Sequence, residues 1–159
     1  IFAICWGMQV AVKAAGGEVK KSINGPNIGV SLDIKLTDEG KTHPMYKDKN
    51  NTFSAPAFNF DEVVKLPSNT KYLSFNSINK FQSVSFECDK SNVWAVQYHP
   101  EFDYDKMINL TILKKKDLFE NELKFENHIQ LLKKEKELSS DSFRMKELKN
   151  WLGSIKSIN

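Results

Sequence analysis

The segment that most constrains this chain's fold is Phe2-Ala3-Ile4-Cys5-Trp6-Gly7-Met8-Gln9, an apolar run that meets a glycine-bearing turn and continues into a helix-forming stretch. A strand that turns sharply into a helix pushes the side chain at the turn out of the sheet. Small residues two before and two after that position let the backbones approach, and Ala3 and Gly7 supply them. The first N–H of the helix, that of Trp6, then points where an oxyanion would form, and a thiolate would face the positive end of the helix dipole. Cysteine gains most from that placement. A free cysteine in an apolar strand is also commonly a small buried hydrophobe, and this segment alone leaves both readings open.

A second informative stretch lies far along the chain, at Trp94-Ala95-Val96-Gln97-Tyr98-His99-Pro100-Glu101-Phe102, where another strand ends in polar residues. Residues i and i+2 of an extended segment point the same way, so His99 and Glu101 can act together, with Pro100 fixing φ between them. A carboxylate on one ring nitrogen holds the imidazole tautomer while the other nitrogen takes a thiol proton. Taken with the elbow, the stretch predicts a Cys5–His99–Glu101 triad built from the ends of two strands.

These two motifs resemble those of the class I glutamine amidotransferases, whose elbow reads G-x-C-x-G-x-Q and whose second motif reads H-P-E. The phrasing Cys5-Trp6-Gly7 and Trp94-x-Val96-Gln97-Tyr98-His99-Pro100-Glu101 is closest to stand-alone GMP-synthase-like domains, over residues 1 to about 103. The resemblance implies a flavodoxin-like α/β sheet, glutamine or a γ-glutamyl compound as substrate, no cofactor or metal, and a possible synthetase partner that receives ammonia. It also implies that Gln9 helps hold the substrate, with an elbow-stabilising hydrogen bond as the alternative. Trp6 is expected beside the same substrate. Family domains carry strands and a glycine-bearing oxyanion loop before the nucleophile, whereas this chain opens on the nucleophile strand at Ile1. The expectation is therefore a domain lacking its N-terminal strands, with an unpaired sheet edge beside residues 1 to 4 and little activity by itself. Two departures stand out: Ala3 replaces the first elbow glycine, and Asn59-Phe60-Asp61 stands where many members carry His-Gly-Asp.

Between the motifs, Trp6 to Ala15 reads as a helix ended by Gly16-Gly17, and Ile28 to Leu36 alternates as a half-buried strand. Thr37 to Asn51 reads as a polar loop. Strands are expected at Thr52 to Phe58, Lys71 to Phe75, Phe81 to Cys88 and Val93 to Tyr98. Residues 104–159 form a separate helical extension, with Met107, Leu110 and Leu113, then Phe125, Ile129 and Leu132, then Met145, Leu148, Leu152 and Ile155 at helical spacing. Asp141 is the expected N-cap of the last set.

The extension holds twelve basic and nine acidic residues and so carries the whole chain's net charge of +3. Acidic residues between the lysines make this a solvated helix face rather than a nucleic-acid surface. The apolar opening from Ile1 to Val12 is shorter than the roughly 20 residues a membrane span needs. Two cysteines, one a proposed nucleophile, favour a reducing, cytoplasmic setting. His43 and His128 lack a second ligand at metal spacing and read as surface histidines. Three functions follow: glutamine hydrolysis for an amidotransferase, a γ-glutamyl peptidase using the same thioester chemistry, or a non-catalytic module that keeps the fold.

Overall fold

In the computed structural model, which describes residues 1–156, the chain runs β1 (Phe2–Ile4), α1 (Trp6–Ala14), β2 (Glu18–Lys21), β3 (Asn27–Leu36), α2 (Asp38–Thr42), β4 (Thr52–Asn59), β5 (Asp61–Lys65), β6 (Lys71–Phe75), β7 (Ser83–Cys88) and β8 (Ser91–Val96). The helices α3 (Tyr104–Leu113), α4 (Lys115–Leu118), α5 (Glu122–Leu138), α6 (Asp141–Arg144) and α7 (Lys146–Lys156) follow. The last three residues of the expected extension, 157–159, lie outside the described residues.

Six strands form a sheet in the order β1-β8-β7-β6-β3-β4, while β2 and β5 pair antiparallel as a small separate ribbon. Only β1 and β8 run parallel, with Ile4 opposite Val96; the other pairs in the main sheet are antiparallel. Strand β1 stands at an edge of the sheet, and Ile1 beside it is exposed.

Strand β8 shows why these residues make a sheet with two covered faces. Trp94 and Val96, with Tyr98 beyond them, enter a core with Ile34, Leu36, Tyr46 and Phe53. Val93 and Ala95 enter another with Met8, Val12, Val84 and Phe86, beneath α1. The period of two puts successive side chains on opposite faces, and an apolar residue at each position buries both. A third, smaller core joins Val30, Tyr104 and Leu132, where α5 crosses β3 at Gly29. Gly29 has φ +72°, and a Cβ there would lie 2.9 Å from Leu132, so glycine meets both the backbone and the packing need.

The expected loop at 37–51 instead contains α2 and a 3₁₀ turn at Pro44–Tyr46. Thr37 caps α2 by accepting the Gly40 N–H, and Met45 and Tyr46 are buried. His43 is correspondingly no surface residue. Its ring is buried edge-on to Trp94 and its Nδ1 accepts the Met45 N–H, because it caps the 3₁₀ turn from inside. His128 is half-buried against Phe119. The expected cap at Asp141 shifts by one residue: Ser140 accepts the Phe143 N–H, and Asp141 pairs with Arg144 instead. Lysines of the extension pair with Glu120, Glu122 and Asp105. No helix among the described residues is long and apolar enough to cross a membrane.

Candidate active site

Parallel pairing of β1 with β8 sets the site. Both strands end at the same sheet edge, and the Cys5 N–H donates to Val96 O at 2.8 Å, continuing the ladder by one step. Cys5 then turns at φ 51°, ψ −109°, a conformation rare for a residue with a side chain. Gln9 N–H donates to Cys5 O at 3.2 Å as the first bond of α1. The N–H groups of Trp6, Gly7 and Met8 precede that bond and have no acceptor within the helix. The elbow is less tight than the sequence implies. A Cβ on Gly7 would meet only the Ala3 Cβ, at 3.9 Å, an ordinary contact.

Three residues past the ladder, His99 interacts with the Cys5 thiol, and its Nδ1 lies 2.7 Å from Glu101 Oε1. Its ring stacks on Phe102 at 4.7 Å. The curled sheet brings its opposite edge strand, β4, against these residues. Pro56 O accepts the His99 N–H at 2.7 Å, and Phe58 O lies 3.8 Å from Cys5 Sγ as an acceptor for the thiol. These two carbonyls are on the unpaired side of β4, as alternation requires. Burial alone would lower the His99 pKa, but the bonds to Cys5 and Glu101 outweigh it and push it up to about 9. The imidazolium thus sits between two groups that favour its charge.

The structure brings Cys5, His99 and Glu101 to the same sheet edge. Gln9 joins them differently from a free substrate clamp, because its Nε2 donates to Asp61 O at 3.0 Å and to Gln97 Oε1 at 3.2 Å. Gln97 Nε2 in turn reaches Cys5 Sγ at 3.5 Å. Fully buried Gln97 is a site residue that motif spacing does not single out. Its signal is a lone polar residue between the apolar run Val93–Val96 and Tyr98, just past the end of β8. Asn59 extends the same chain of bonds inward, donating to Asp61 O and to Asn79 Oδ1, while Phe60 turns outward against Phe58. Trp6 is 74% exposed and, with Gln9, Val10, Lys13 and Asp61, lines an open groove of about 550 Å³ beside the elbow. Cys88 is a free, half-buried thiol at the end of β7. Among the described residues no cluster of three His, Cys, Asp or Glu could hold a metal ion.

Residues 1–114 match the family model of class I glutamine amidotransferases. The chain belongs to this family. It is 38% identical to the gamma-glutamyl-L-1-hydroxyisopropylamide hydrolase of a Pseudomonas species over 64% of this chain and 35% of that one. It is 29% identical to a glutamine-hydrolysing GMP synthase subunit of Methanococcus vannielii over 65% of this chain and 51% of that one. The chain thus spans about a third to a half of these curated relatives. A glutamine amidotransferase of Thermotoga maritima shares the fold at a TM-score of 0.71 and 16% identity, over 92% of this chain and 59% of that structure. The glutamine amidotransferase fold therefore extends well past the two motifs.

Proposed function

We propose that the chain carries the glutamine-hydrolysing chemistry of a GMP-synthase-like amidotransferase, with catalysis in residues 1–103 and the helices of 104–159 as a supporting extension. The observation that carries this reading is the strained elbow cysteine at the same sheet edge as His99, whose Nδ1 is held by Glu101 at 2.7 Å and whose pKa the Cys5 thiol helps to raise. The Cys5 thiolate attacks the side-chain carbonyl of glutamine, forming a C–S bond, and the oxyanion takes the Trp6 N–H. His99 gives its proton to the departing nitrogen as the C–N bond breaks, so ammonia leaves and a γ-glutamyl thioester remains. Water, deprotonated by the same ring, adds to the carbonyl; the C–S bond breaks and glutamate departs. Gln97 supports the first step, since an amide N–H aimed at sulfur stabilises negative charge there. Trp6 lines the groove mouth where the γ-glutamyl group sits, and Gln9, bonded to Asp61 O and Gln97 Oε1, braces the site behind it. Ammonia passes to a synthetase partner, and the two free thiols suit the cytoplasm.

The test is labelling with a glutamine-like electrophile followed by mass spectrometry. Cys5 should react and Cys88 should not, and ammonia release from glutamine should vanish in Cys5→Ala. Equal labelling of both thiols would sink the reading and leave a non-catalytic module.

A second reading, hydrolysis of a larger γ-glutamyl amide or peptide, is favoured by the relative named for a γ-glutamyl amide. It shares every step except the leaving group. Faster release of an alkylamine from a γ-glutamyl alkylamide than of ammonia from glutamine would decide for it.

A further inference from the structure

Beyond residue 114, where the family match ends, the chain returns to the site and grips the loop that carries the histidine. Arg144, buried at the end of α6, donates from Nη1 to Pro100 O at 2.5 Å and to Phe102 O at 2.8 Å. These carbonyls flank Glu101, the residue that holds the His99 ring. Asp141 Oδ1 steadies the other guanidinium nitrogen, Nη2, at 2.7 Å. One turn further on, Glu147 accepts the Tyr98 hydroxyl at 2.6 Å, so the extension holds the residue before His99 as well.

We infer that Arg144 is a positioning residue for the His99–Glu101 pair, making the C-terminal extension part of the active-site machinery rather than a packing appendage. This rests on the triad reading above. Pro100 itself has no N–H to donate, and among the described residues the backbone bonds of His99 and Phe102 are His99 N–H to Pro56 O and a turn bond of 3.2 Å from Phe102 N–H to His99 O, which leave the Pro100 and Phe102 carbonyls to the guanidinium. Without the guanidinium, the two carbonyls on either side of Glu101 would lose these bonds, and the carboxylate would be free to swing from the ring. Arginine suits the task because its planar fork lets Nη1 hold both carbonyls while Nη2 is fixed by Asp141, whereas a lysine offers one nitrogen on a flexible stem.

The experiment compares Arg144→Met and Arg144→Lys with the wild-type chain in two assays. The first is steady-state hydrolysis of glutamine and of a γ-glutamyl alkylamide. The second is iodoacetamide alkylation of Cys5 relative to Cys88, which needs no substrate. Misplacing a catalytic group from a distance costs about 10²-fold. Arg144→Met should therefore lower kcat about 10²-fold with KM little changed, and slow Cys5 relative to Cys88. Arg144→Lys should recover part of both losses.

Wild-type kcat and alkylation ratio in folded Arg144→Met would overturn the inference. So would a rise in KM alone, or a lysine variant no better than methionine. Should Arg144→Met fail to fold, Arg144→Lys decides: a reduced kcat and a slower Cys5 support the role, and wild-type values refute it. A wild-type chain that hydrolyses neither substrate would count against the triad reading, while the alkylation ratio would still report on the clamp.

Discussion

The imidazole of His99 is asked to be a cation in a buried place, and its pKa of about 9 has a consequence for stability. A histidine whose folded pKa exceeds its unfolded value of about 6.5 binds its proton more tightly when folded. That stabilisation is fully present below pH 6.5 and is lost as pH rises through 9. From 6.5 to about 9 the contribution is about 3 kcal/mol. Urea unfolding at pH 6, 7.5 and 9.5 should show a progressive alkaline loss of this size. In Cys5→Ala, one of the two partners that raise the pKa is gone, so the loss should be smaller and begin at lower pH. A flat profile in the wild-type chain would refute this account. The placing of Cys5, His99 and Glu101 at one sheet edge was legible because each lies within a short motif: a small-residue turn for Cys5, and i, i+2 alternation for His99 and Glu101. Gln97 was not, since nothing local tells a buried glutamine that reaches sulfur from one that merely fills a strand.

Secondary-structure elements were legible in proportion to how local their determinants are. Strand β3 shows its alternation in the sequence, although a register shift between Ser31 and Ile34, with Asp33 at φ 51°, interrupts it in the sheet, and α1 stops two residues before Gly16, whose φ of +92° suits glycine. The ribbon of β2 and β5 went unseen, because Glu18–Lys21 has a partner only once Asp61–Lys65 is brought beside it. The 3₁₀ turn after α2 was hidden for a related reason: His43 belongs to a polar stretch, yet packs on Trp94 from a distant strand. Burial first, then repulsion from Lys71, lowers its pKa to about 4. Here the sign is opposite to that at His99. The unfolded chain takes up the proton near pH 6.5 and the folded chain does not until about 4, so stability present above 6.5 is lost as pH falls through that window. His43→Asn keeps a side-chain acceptor for the Met45 N–H and removes the titration. Its unfolding free energy should then change about 3 kcal/mol less between pH 7 and pH 4 than that of the wild-type chain. The same acid sensitivity in both proteins would show that other groups carry it.

At the scale of the molecule, the question is what holds the C-terminal helices to the sheet. The apolar spacing points to Met145, Leu148, Leu152 and Ile155, but Leu152 and Ile155 are 43% and 42% exposed. What α7 buries completely is Glu147, which pairs with Lys49 at 2.9 Å across 98 positions of sequence and accepts the Tyr98 hydroxyl. The Tyr46 hydroxyl continues that chain, 2.8 Å from Tyr98 and 2.6 Å from Ser83. Trp151 adds a ring contact to Phe2, and Asn150 donates to Met45 O and Lys47 O. No pattern within the helix could reveal this, because a glutamate flanked by lysines reads as solvent-facing until its partners are supplied by other strands and turns. Lys49 also lies over the rings of Phe53 and Phe143, and burial lowers its pKa although Glu147 opposes the shift. A pair this dry has an asymmetric mutational signature. Removing one member strands a charge and costs about 3–5 kcal/mol, whereas replacing both with apolar residues of similar volume is close to neutral. Glu147→Leu and Lys49→Met should each destabilise by that amount in urea unfolding, and the double variant should be more stable than either single one. Were the single losses simply to add in the double variant, the pair would not be coupled, and the anchor would have to be the ring and amide contacts of Trp151 and Asn150.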